Sequence, residues 1–224
     1  MEISLIILTL KVAAVATVIN LPLALIVGWI LVKTNTRYRF FLDVLISFPL
    51  AQPPVTVGFL LLLVLGRTGP EGFLLYKFLS VDIVFTGVAA ALASAVVSFP
   101  LISRAIVVAM GEVDERVEKT ARSLGAGPWR VIFTITIPLA YKGILAGTLL
   151  GFVRSISEFG ATIAVAGNIP GKTQTLSLAI YSNLQTGNEQ IALYLAGISV
   201  ILAVSTLVIH NWLVGTAGRR IIGG

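Results

Sequence analysis

Five stretches of this sequence, roughly 5–32, 42–65, 85–110, 139–165 and 191–214, stay apolar for more than twenty residues each. About 20 apolar residues in a helix are enough to cross a hydrocarbon core of about 30 Å. Lipid offers the backbone no hydrogen-bond partners, so a spanning segment must be a helix or part of a closed barrel. None of the five alternates polar and apolar residues as a barrel strand would. The expected fold is therefore all-α, a polytopic membrane protein with about five transmembrane helices. Composition agrees: 57% of residues are hydrophobic and 12% are charged, about half the charge of an ordinary soluble domain. Pro22, Pro53, Pro54 and Pro100 fall inside the expected spans, where they are predicted to bend them.

The first apolar stretch follows Met1-Glu2-Ile3-Ser4 directly and continues to Val32. A secretory signal would begin with basic residues and end in a small-residue cleavage site, so this stretch reads as a retained first span. The net charge of +6 sits in short clusters between spans, which suits membrane orientation rather than nucleic-acid binding. Lys33, Arg37, Arg39, Arg104, Arg116, Lys119, Arg122, Arg130, Arg219 and Arg220 fall on one side; Arg67, Lys77 and Lys172 fall on the other. The positive-inside rule makes the first side cytoplasmic, with the N-terminus outside and the C-terminus inside. The sequence has no cysteine and one histidine, His210, which excludes thiol catalysis, disulfides and multi-histidine metal sites. No catalytic residue, metal site or cofactor is expected. The whole of 1–224 reads as a single transmembrane domain.

Between the third and fourth spans, residues 111–130 form an amphipathic segment. Val113, Val117, Ala121 and Leu124 recur at helical spacing. Glu112, Asp114 and Glu115 come early and Lys119 and Arg122 late, as the helix dipole favours. Glu115 with Lys119, and Glu118 with Arg122, are spaced as ion pairs. Gly125 is placed to end the helix, and Pro128 to start the next. Such a helix could lie on the membrane surface or dock to a partner protein.

Gly125-Ala126, followed by Ile135-x-Ile137-Pro138, resembles the EAA loop of ABC-transporter permeases. Lys119-Thr120-Ala121 stands where Glu-Ala-Ala is usual, with the acid one place earlier at Glu118, and Ile137 replaces a leucine. Further stretches are similar to the molybdate-type permeases of that group. They are 48–58 continuing to Gly66-Arg67, 97–105, and 154–162 continuing to Asn168-Ile169-Pro170-Gly171. Sulfate and tungstate permeases look alike around Glu158-Phe159-Gly160-Ala161. The resemblance implies a type I importer (MetI-like) permease fold. It implies a coupling loop at about 111–138, whose Glu115, Glu118, Lys119, Ala121, Leu124, Gly125 and Ala126 meet an ATP-binding subunit. The implied partners are two copies of that subunit, a second copy of this chain and an extracytoplasmic oxyanion-binding protein, in the lipid of the cytoplasmic (inner) membrane. ATP chemistry would belong to the partner.

Arg154 and Glu158 lie one helical turn apart near the outer end of the fourth span. They are either a mutual ion pair that locks the bundle or, with Phe159 and Gly160, part of an oxyanion pathway or gate. The region of about 154–190 is expected to fold back against the outer mouth as a gate. Gly143, Gly147 and Gly151 repeat every fourth residue, a stripe suited to close helix packing and to a subunit interface. Thr17, Asn20, Gln52, Thr56, Ser94, Ser98, Thr148 and Thr162 could line a path or bond between helices. Residues 166–173 satisfy a relaxed phosphate-loop pattern, but a working loop needs a preceding strand and a cytoplasmic address. An ion-coupled transporter would call for internal repeats and mid-membrane acids. A membrane enzyme would call for a cluster of His, Asp or Glu. The sequence shows no convincing repeat, only Glu158 as an acid well inside a span, and no such cluster.

Overall fold

A computed structural model describes residues 2–34 and 37–219. Eleven α-helices make up the described chain, without a strand: α1 (Glu2–Lys33), α2 (Arg39–Ala51), α3 (Pro54–Leu65), α4 (Pro70–Leu79), α5 (Gly87–Gly111), α6 (Glu115–Ser123), α7 (Pro128–Val131), α8 (Ile137–Ile156), α9 (Gly160–Ala166), α10 (Leu176–Gln185) and α11 (Glu189–Arg219). A π-helical turn, Ile132–Thr136, joins α7 to α8. Among the described residues five stretches are long and apolar enough to cross a membrane: Glu2–Lys33, Pro54–Leu74 (which takes in α3 and the start of α4), Gly87–Gly111, Pro128–Ile156 and Glu189–Leu213. Arg220 lies outside the described residues.

Two expected spans are drawn differently by the structure. The stretch at 42–65 is not one helix but two, α2 and α3, broken at Gln52-Pro53. Proline lacks an N–H and pushes the residue before it into the extended region, and Gln52 is extended at φ −110, ψ 147. Pro54 then serves as the first residue of α3. The fourth span begins at Pro128 rather than Leu139 and ends at Ile156, so 160–166 is a separate short helix. The π turn is where Pro138 would otherwise collide with the preceding turn. Widening it lets the Ile137 N–H bond to the Ile132 carbonyl.

The long helix α5 is the centre of the molecule, packed against α1, α8, α9, α2 and α3. Ala89, Ala90, Ala91, Ala93 and Ala95 let its neighbours approach closely. One apolar core joins α1, α3, α5 and α9 around Val12, Val57, Val97 and Val165. A second joins α1, α5 and α8 around Ile102, Ile106 and Met110. The Gly143–Gly147–Gly151 stripe is spent inside the chain, not on a subunit interface. A Cβ at these positions would run into Ala109, Ala105 and Ile102 of α5. Helix α10 is anchored to α1 by Thr9, whose Oγ1 accepts the Leu176 N–H at 2.9 Å.

Candidate coupling surface and candidate transport pathway

Helix α6 is short, charged and well capped. The Asp114 side chain accepts the Arg116 N–H at 2.8 Å, which satisfies one of the open donors of its first turn. Gly125, at φ +88, takes the left-handed conformation that glycine alone adopts without strain. The Gly125 N–H bonds to the Arg122 carbonyl and that of Ala126 to the Ala121 carbonyl, both at 3.0 Å. This is a Schellman stop. Glu115 and Lys119 pair at 2.7 Å as expected. The partner's ammonium, by hydrogen bond and then by charge, holds the Glu115 carboxyl below its ordinary range.

Glu118 departs from expectation. It does not pair with Arg122. It is 4% exposed, its Oε1 lies 3.1 Å from the Lys33 Nζ at the end of α1, and the same oxygen accepts the Thr136 hydroxyl at 2.7 Å. A carboxylate withdrawn from water needs a counter-charge and hydrogen bonds more than it needs a helical neighbour. Lys33 and Thr136 are therefore structural partners that the sequence reading missed; spacing along α6 carried no signal of them. The anticipated apolar stripe is also split. Val113 is buried, whereas Val117 is exposed and Leu124 is 84% exposed. Ala121 is half-buried and Ala126 half-buried beside them. Trp129, exposed as well, stacks between Trp29 at 5.6 Å and Phe133 at 6.4 Å. Seated through Glu118, α6 turns a mainly charged face outward, with the exposed apolar side chains of Val117, Leu124 and Trp129 on and just after it.

At the opposite end of α8 the four expected residues come together. Arg154 Nη1 lies 2.9 Å from Glu158 Oε2, with the arginine side chain 33% exposed and the glutamate 2%. The other oxygen, Glu158 Oε1, accepts the Ala161 N–H at 2.8 Å and so caps α9. Phe159 packs on the Tyr181 ring with centroids 4.9 Å apart. Gly160 sits against Pro54 and Val55, and Gly58 against Ala161, approaches that a side chain would obstruct. Helix α9 is accordingly wedged against α3.

Of the polar residues within the spans, Asn20, Ser98 and Ser155 join helices. Asn20 of α1 donates to the Ala95 carbonyl at 2.9 Å and to Ser98 Oγ at 3.0 Å. Ser155 of α8 donates to the same Ser98 Oγ at 3.0 Å. Thr17 and Thr148 bond back to carbonyls of their own helices. The 166–173 segment is a turn between helices. Thr173 Oγ1, fully buried, accepts the Ile169 N–H at 3.0 Å, and a helix, not a strand, precedes it. Arg104, counted above with the connections, stands inside α5 and pairs with Asp43 of α2 at 3.0 Å. Its Nη2 also donates to Ser47 at 2.7 Å.

Residues 20–219 match the family model described as "Binding-protein-dependent transport system inner membrane component". The chain belongs to this family. It is 45% identical over 216 residues to the Molybdenum transport system permease protein ModB of Escherichia coli (strain K12), covering 96% of this chain and 94% of that protein. It is 36% identical to the Sulfate transport system permease protein CysT of the same strain, over 96% of this chain and 77% of that one. A solved structure of the MetNI methionine ABC transporter in inward-facing conformations superposes with a TM-score of 0.75 at 16% identity, covering 96% and 95% of the two chains. At that identity the likeness speaks for the fold, and the fold is the MetI-type permease fold expected from sequence. The protein is a multi-pass inner-membrane permease.

Proposed function

We propose that this permease imports molybdate, as one of a pair of identical subunits driven by ATP hydrolysis in two separate ATP-binding subunits. The observation that carries the reading is its 45% identity, over nearly the full length, to the molybdenum permease of Escherichia coli. Here α6 is the coupling element of a loop at about 111–138. Glu115, Lys119, Ala121, Leu124, Gly125 and Ala126 face the ATP-binding subunit, while Glu118 fastens the helix to the membrane domain. Its exposed apolar residues beside a charged turn suit a groove in a partner better than bulk water. The N-terminus then lies outside and the C-terminus in the cytoplasm. A soluble binding protein delivers the oxyanion to the outer mouth, where 154–190 forms the gate and Arg154, Glu158, Phe159 and Gly160 stand beside the path. ATP binding draws the two α6 helices together and turns the cavity outward; hydrolysis and release reset it.

Uptake of radioactive molybdate tests this in cells carrying the permease with its cognate ATPase and binding protein. Competition by tungstate but not sulfate is the expected result. Abolition by sulfate would transfer the cargo to sulfate, a reading supported by the 36% identity to a sulfate permease. No oxyanion uptake by an intact complex would overturn the assignment.

A further inference from the structure

We propose that Arg104, held by Asp43 and Ser47, is a station for the passing oxyanion on the inner half of the transport path. The proposal rests on the reading above that the cargo is an oxyanion.

From Ala89 to Pro100 every residue of α5 is buried or half-buried, and the helix then opens along Leu101, Arg104 and Val108, all exposed. These residues are spaced three and four apart and share one face. Arg104 precedes the last residue of α5, Gly111, by seven positions, which at 1.5 Å per residue is about 10 Å into the span. A lysine or arginine near a helix end usually escapes lipid by reaching toward the interface. Arg104 does not. Besides Asp43 it takes Ser47, one turn further along α2 from the Arg39 end. The Arg104 and Asp43 side chains remain 49% and 40% exposed in the single chain. An ion pair that open is costly against hydrocarbon and at home beside water, so in the proposal this face of α2 and α5 borders an aqueous path.

The chemistry suits a doubly charged tetrahedral anion. A guanidinium presents five N–H donors, more than the single carboxylate and hydroxyl facing it can occupy, and its fork matches paired oxygens. Asp43 neutralises it between passages, so the anion exchanges with a carboxylate already in place. Binding is then weak enough for release, which a conduit requires. In a two-fold dimer each copy would supply one such pair.

The sequence contains no cysteine, so one introduced thiol is the only one in this chain and its labelling is read on the permease band. Ser47→Cys places it against the guanidinium, and Leu101→Cys places a second one turn away on the same face. Each would be assembled with the ATPase in inside-out vesicles and treated with anionic and cationic methanethiosulfonates of similar size. Both thiols should react from water, and with Asp43→Asn, which leaves the guanidinium uncompensated, the anionic reagent should be faster by about tenfold. Arg104→Gln should erase that preference, and molybdate should slow labelling where chloride of equal ionic strength does not. Unreactive thiols at both positions, equal rates for both reagents with Asp43→Asn, or no protection by any oxyanion would overturn the station. In the last case, persisting molybdate uptake would leave the transport assignment standing. Protection by sulfate and not by molybdate would support the station and overturn the cargo.

Discussion

At the scale of single residues, Glu118 and Glu158 show how a buried carboxylate finds company. Glu158 has its arginine one turn away on the same chain segment, and that pair was legible from spacing. Glu118 pairs with Lys33, 85 positions away in sequence, and with Thr136; nothing local to α6 pointed to them. Glu118→Ala strands a buried ammonium and should lower stability by about 3–5 kcal/mol. Thermal unfolding of the detergent-purified chain would measure it. Replacing both partners by methionine should recover most of the loss, because no unpaired charge remains. Gly147 belongs to the other kind of site, where space is the constraint. Gly147→Leu drives a side chain into Ala105 and should cost at least about 1–3 kcal/mol as overpacking, read in the same assay.

At the scale of elements, the sequence signalled helix ends where a residue's own chemistry sets them. Gly125 and Pro128 stop α6 and start α7 as expected. It did not locate the break after Ile156, because Ser157 and Phe159 carry no local preference that strong. That end is set by Glu158 turning to cap α9, a contact made only once α9 is packed. Gly125→Ala should weaken the stop of α6 by about 1 kcal/mol, a purely conformational cost, since a Cβ there meets nothing within 4 Å. Faster amide exchange at Leu124 and Ala126 would reveal it. The Glu115–Lys119 pair sets a pH window. Glu115 titrates below its ordinary range and Lys119 above its own. The pair's support for α6 is complete at neutral pH. It is lost on acidification only as pH falls through the lowered Glu115 value, and on alkalinisation only above the usual lysine range. Exchange protection of α6 should therefore stay flat between about pH 6 and pH 9; a step near pH 7 would contradict the pairing.

At the scale of the whole molecule, the class of fold and the number of spans were readable from apolar length alone, because lipid leaves so few alternatives. The packing order was not, since small residues suit an internal helix contact and a subunit contact equally, as the glycine stripe shows. Helix α11 lies at the periphery, with Val200, Ile201, Val204, Val208 and Trp212 exposed. In a variant with Trp29→Phe and Trp129→Phe, the remaining Trp212 should be strongly quenched by brominated acyl chains in reconstituted bilayers. Absence of quenching would mean that another surface covers α11.

The buried pair beneath α6 also bears on how such permeases can be recombined. A coupling segment looks like an exchangeable cassette, defined by its glycine and proline and open to transplantation between transporters. Here one of its side chains is rooted in the first span. Grafting onto this protein a loop whose acid sits one position later would leave Lys33 buried without its counter-charge. Such a chimaera should fail in the membrane domain before its fit to any ATPase came into question, and transferring the first span together with the loop should rescue it.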